Sequence, residues 1–64
     1  MDADEIKRAV LRGGRVFWKN QSYEVVVDHL GQWFIKCHIN DHHIGLTWQD
    51  GVTLNGKPED FILW

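Results

Sequence analysis

From Tyr23 to Ile39 the chain alternates large apolar residues so regularly that it reads as two strands. Tyr23, Val25 and Val27 form one set, and Trp33, Ile35, Cys37 and Ile39 the next. Successive side chains on a strand point to opposite faces, so each set lies on one face. Val, Ile, Tyr and Trp are also the residues that suit a pleated, half-buried surface. The same spacing recurs at Ile44, Leu46 and Trp48, which gives a third run.

Burial fixes the register of the first pair. His29-Leu30-Gly31 reads as a three-residue hairpin loop with Gly31 in the left-handed position. This loop sets Asp28 opposite Gln32, Val27 opposite Trp33, Val25 opposite Ile35 and Tyr23 opposite Cys37; on the other face, Glu24 meets Lys36 and Val26 meets Phe34. A two-residue loop would put Val25 against Lys36 and mix the faces, a slip that burial forbids. The second hairpin turns through Asn40-Asp41 or through Asn40-Asp41-His42-His43. Both loops keep the apolar faces together. The shorter one pairs Cys37 with Ile44, Ile35 with Leu46 and Trp33 with Trp48, and sets His38 opposite His43.

On the N-terminal side, Asp2-Ala3-Asp4-Glu5 has the capping-box pattern in its Asp form. Ala3, Ile6, Ala9, Val10 and Leu11 follow on one side of a helix, with acids first and bases last as the helix dipole prefers. Gly13-Gly14 ends it. Arg15 to Lys19 is a strand, and Asn20-Gln21 a tight turn that sets Trp18 opposite Tyr23 and Val16 opposite Val25, with Phe17 on the other face near Glu24. After Trp48, Asp50-Gly51 and Asn55-Gly56 are turn signals, Pro58-Glu59-Asp60 suits one helical turn, and Phe61 to Trp64 reads as a last strand.

The expected fold class is therefore α+β, mostly β, in a single domain. A helix at about 3–12 precedes an antiparallel meander of 4–5 short strands at about 15–19, 22–28, 32–39, 43–48 and 61–64. Such a meander, with a helical turn before its closing strand, resembles a small SH3-like barrel in architecture, without any family motif. The other arrangement is an open or curled antiparallel sheet with the helix across one face.

Length and composition bound the rest. A chain of 64 residues hides only about 60% of the surface its unfolded form exposes. Its apolar fraction of 44% and charged fraction of 25% are those of a globular domain. Cys37 is the single cysteine and has no internal disulfide partner, which points to a reducing cytoplasm. No apolar run approaches the ~20 residues of a membrane span, and the acidic start Met1-Asp2-Ala3-Asp4-Glu5 is no signal peptide.

Cys37, His38, Asp41, His42 and His43 are all of types that bind zinc, but Cys37 faces the core and His38 the opposite way, so no metal site and no cofactor is expected. No nucleophile with a base, phosphate loop or carboxylate pair stands out, and no enzyme is expected. Charge is uneven: Lys7, Arg8, Arg12, Arg15 and Lys19 fall in one stretch without an acid, interleaved with Phe17 and Trp18. That segment, 7–19, is the nucleic-acid-binding alternative, its cations meeting phosphates and an aromatic stacking on bases. The plainer reading is a solvated helix face.

The first expectation is a small non-enzymatic binding or adaptor domain acting through protein–protein contact. Phe17, Val26 and Phe34 share the second face, rimmed by Glu24 and Lys36. Either the helix covers them through Ile6, Ala9 and Val10, or they form an exposed apolar patch for a protein partner or a second copy.

Overall fold

The capping box forms as its residues dictate. Asp2 Oδ1 accepts from the Glu5 amide at 2.9 Å, and Glu5 Oε1 accepts from the Asp2 amide at 3.2 Å. The computed structural model describes all residues, 1–64, and helix α1 runs Ala3–Leu11. Gly13, at φ 89°, ends α1 in a Schellman arrangement, with Gly13 N–H on Val10 O and Gly14 N–H on Ala9 O. No helix is long and apolar enough to cross a membrane.

Five antiparallel strands follow: β1 Val16–Trp18, β2 Asn20–Val27, β3 Trp33–Cys37, β4 His43–Gly45 and β5 Phe61–Leu63. They lie in the order β4-β3-β2-β1-β5. The protein is thus α+β and mostly β. β4 and β5 form the two edges and do not pair, so the expected barrel does not close. Each edge strand has only three residues, too short a ladder to bend across and join the other. A 3-10 turn at Pro58–Asp60 leads into β5.

The β2–β3 ladder has the expected register, from Tyr23 opposite Cys37 to Val27 opposite Trp33. Gly31 supplies the left-handed residue of the loop at φ 80°, and Asp28 Oδ1 accepts from the Leu30 and Gln32 amides. Two other turns depart from expectation. Lys19, at φ 68°, takes the β1–β2 turn alone, so β2 already begins at Asn20 and a bulge separates the Phe17–Glu24 pair from Trp18 opposite Asn20. Trp18 still packs edge-on against Tyr23, centroids 5.4 Å apart.

The β3–β4 hairpin takes neither expected loop. It turns through His38 to Asp41, with Cys37 and His42 hydrogen-bonded at its base and Asp41 left-handed at φ 62°. Ile35 therefore faces Ile44, and Lys36 faces His43. The shift is an even number of residues and leaves the faces intact. It ends β3 at Cys37, leaving Ile39 79% exposed in the turn and His38 away from His43.

After β4 the chain makes a strap. Trp48 N–H donates to Thr53 O and Asn55 N–H to Leu46 O, around a turn in which Asp50 accepts from Val52 and Thr53. The strap carries Leu46 into the core, and Leu54 packs against it. Trp48, expected beside Leu46 on the inner face, lies outside β4 and is 67% exposed.

The core is one cluster: Ile6, Val16, Val25, Ile35, Leu46 and Phe61, each at most 3% exposed. Odd-numbered residues of β2 and β3 turn inward, and on that side α1 lies across β1, β2 and β5 with Ile6 fully buried. Burying each such side chain contributes about 1.5–3 kcal/mol. Leu11, expected on this stripe, is 71% exposed, because it lies five residues beyond Ile6 and has rotated off the packed side.

Candidate functional site

With α1 on the odd face, the opposite face of the sheet carries no second layer. The register aligns Ile62, Phe17, Glu24, Lys36 and His43 in one row across five strands, with Val26, Phe34 and Gly45 beside it. All five residues singled out from the sequence, Phe17, Glu24, Val26, Phe34 and Lys36, lie here. They differ in access. Val26 and Phe34 are half-buried, and Phe34 packs edge-on against the His43 ring at 5.8 Å. Phe17 is only 5% exposed. Trp64 meets it edge-on at 6.0 Å, and the Arg15 guanidinium lies 5.1 Å from its ring centroid.

Sequence reasoning missed two residues. Ile62 and Trp64, 52% and 72% exposed, are the outermost apolar groups of this face. Their spacing of two was a signal, but their face follows only from the pairing of Ile62 with Phe17.

Glu24 stands at the centre. It accepts from Arg15 Nη2 at 2.9 Å and Arg15 Nε at 3.1 Å, one oxygen each, and lies 2.8 Å from His38 Nε2. The Arg15 hydrogen bond, helped by His38 and opposed by partial burial, holds the Glu24 carboxyl below its ordinary range, and Glu24 in turn raises Arg15. Glu24 and Lys36 are cross-strand neighbours, as expected, but Lys36 Nζ reaches Asp41 at 3.2 Å, which lowers the Asp41 carboxyl. Arg15, at the end of β1, holds the better geometry for Glu24: a planar fork on a carboxylate.

The residues of the basic segment separate. Lys7 stands 5.9 Å from the Trp33 ring centroid, and Lys19 4.5 Å from that of Trp18. Arg8 and Arg12 border a groove beside Leu63, while Arg15 is committed to Glu24. The histidines separate too: His38 bonds Glu24, His43 packs on Phe34, and His42 lines a cleft of about 160 Å³ with Tyr23 and buried Cys37. No three groups of metal-binding type come together.

The helix-free face is thus an apolar surface around a prepaired ion cluster. Comparison with protein-family models, curated proteins and solved structures finds no match to this chain.

Proposed function

We propose that the chain is a small non-enzymatic binding domain whose helix-free sheet face docks a protein partner. The observation that carries this reading is the one-sided cover. The α1 helix buries the odd face, while Val26, Phe34, Ile62 and Trp64 remain on the other without a layer over them. Apolar residues grouped at a surface mark contact sites more often than scattered ones do. An aromatic anchor beside an arginine is also the composition of interface centres. We read the strand order, with its 3-10 turn before β5, as an opened relative of the SH3-like barrel, and the cytoplasm as its compartment.

Benzoylphenylalanine placed at position 34 and, as control, at Leu30 on the hairpin tip tests the reading by photocrosslinking in the host cell. The expected result is a discrete protein adduct from position 34 that position 30 does not give. The same adducts from both positions, or none from 34, overturn it.

A further inference from the structure

The β5 strand is an edge with its outer backbone groups unpaired. Lys19 N–H bonds Asp60 O and Trp64 N–H bonds Arg15 O, so the Asp60 carbonyl, the Ile62 backbone groups and the Trp64 amide turn toward β1. By alternation, the groups of Phe61 and Leu63 turn outward. The Phe61 amide is satisfied within the 3-10 turn by Pro58 O, which leaves Phe61 C=O and both groups of Leu63 free. Proteins commonly blunt such edges by shortness, lysine, proline or a bulge; β5, Phe-Ile-Leu, is short at three residues but carries no lysine, proline or bulge. The opposite edge is better closed, with Asn55 Nδ2 on Gly45 O at 3.3 Å.

Beside this edge, on the helix side, lies a groove of about 260 Å³ lined by Met1, Glu5, Arg8, Ala9, Arg12 and Leu63. Its floor is apolar and its rim is cationic. Neither Arg8 nor Arg12 has a carboxylate within ion-pair distance; Arg8 Nε reaches only the Asp4 carbonyl at 3.3 Å. Glu5, the one acid present, is engaged by the Asp2 amide. On a chain of net charge −2, this is a local positive site.

We propose that the β5 edge and this groove bind an extended acidic–apolar peptide segment of another protein, added as a sixth strand. A strand there lies about 4.8 Å from β5. Its side chains on one face enter the groove, where a carboxylate meets Arg8 and Arg12; those on the other face lie beside Ile62. Main-chain bonds supply affinity and the alternate pockets supply selectivity, as in other strand additions. A second copy is the poorer occupant. Two β5 edges paired about a two-fold axis bring both helices to the same side, with Arg8 and Arg12 of each copy facing those of the other.

The site adjoins the helix-free face at Ile62 but is centred on Leu63, Arg8 and Arg12, and the test distinguishes the two. A fluorescent peptide of alternating Glu and Val is titrated onto the intact chain, with amide chemical shifts followed residue by residue. The expected result is saturable binding with shifts at Leu63, Arg8 and Arg12 and none at Val26 or Phe34. Replacing Glu by Lys in the peptide, or methylating its alternate amides, abolishes binding. The double variant R8Q/R12Q weakens binding roughly tenfold or more. Leu63→Pro, which removes an outward amide not used in the fold, does the same while the circular dichroism is retained. Equal binding of the Lys–Val or methylated peptide overturns the proposal. So do shifts confined to the Phe34 face, no binding at all, or a concentration-dependent dimer that excludes the peptide.

Discussion

Paired substitutions at adjacent residues test the one-sidedness of the sheet. Ile35 is 1% exposed and packs in the cluster with Ile6, Val25 and Leu46, whereas Phe34 points the other way against Val26 and His43. Ile35→Ala removes buried methyl and methylene groups worth about 0.8 kcal/mol each and leaves a cavity under α1, for a loss of about 3–4 kcal/mol. Phe34→Ala deletes more atoms. Its site opens to solvent, so no sealed cavity remains and only part of the transfer term is lost, about 1–1.5 kcal/mol. A 64-residue domain has about 3–10 kcal/mol in total. Urea denaturation followed by tryptophan fluorescence, with a slope of about 1 kcal/mol/M, reads these as midpoint shifts of about 3 M and about 1 M. If Ile35→Ala leaves no folded baseline, Ile35→Val gives a loss of about 0.5–1.5 kcal/mol for scaling. The smaller deletion costing more is the diagnostic. A larger loss at Phe34 than at Ile35 refutes the face assignment and, with it, the proposed docking surface.

Three further outcomes follow from particular contacts. A Cβ at Gly56 would stand 2.7 Å from Trp18 Nε1, so Gly56→Ala displaces the indole, shifts the tryptophan emission and lowers stability by about 1–3 kcal/mol. A Cβ at Gly14 would stand 2.9 Å from Ala9 O, so Gly14→Ala strains the helix end by a similar amount in a thermal melt and leaves Gly13 to keep its turn. Glu24 has a folded pKa below the ordinary 4.5, so its contribution is present above the unfolded value and is lost as pH falls through the folded one. In Glu24→Gln the loss of stability on acidification below pH 4.5 is correspondingly shallower, measured by urea midpoints across the range.

The β2–β3 hairpin was legible because its faces differ chemically and a one-residue slip exposes Val25 and Ile35 together. The β3–β4 register was not, because a shift of two residues moves every partner yet leaves each side chain on its own face. Hydrophobic alternation is blind to that change. The choice lay in turn chemistry: Asp41 accepts the left-handed conformation that closes the loop from His38 to Asp41. The apolar stripe of α1 was also legible, but not the face it would choose, since both faces offered apolar residues. Charge decides it. Covering the even face would have buried Glu24 and Lys36 under α1, and burying charges without ideal partners costs more than apolar contact returns. The Arg15–Glu24 fork follows from the pairing of Phe17 with Glu24, which puts Arg15, two residues along on the same face, diagonal to Glu24; it escaped notice because Arg15 was grouped with the basic segment 7–19.

Geometry limits how much of the sheet one helix can cover. Five strands span about 20 Å, whereas one helix is about 10 Å wide and nine residues of it run about 13.5 Å. A single helix covers only part of one face, and the strap with Leu46 and Leu54 completes that side. Leftover surface alone would call for polar side chains at every even position; instead Phe34, Val26, Ile62 and Trp64 stand around a glutamate whose cation is already in place. A partner that covers this face desolvates a pair whose hydrogen bonds are made in advance, which is the arrangement in which a charge can be buried without being orphaned. The Arg15–Glu24 fork is therefore what would allow the proposed docking surface to carry charge at its centre.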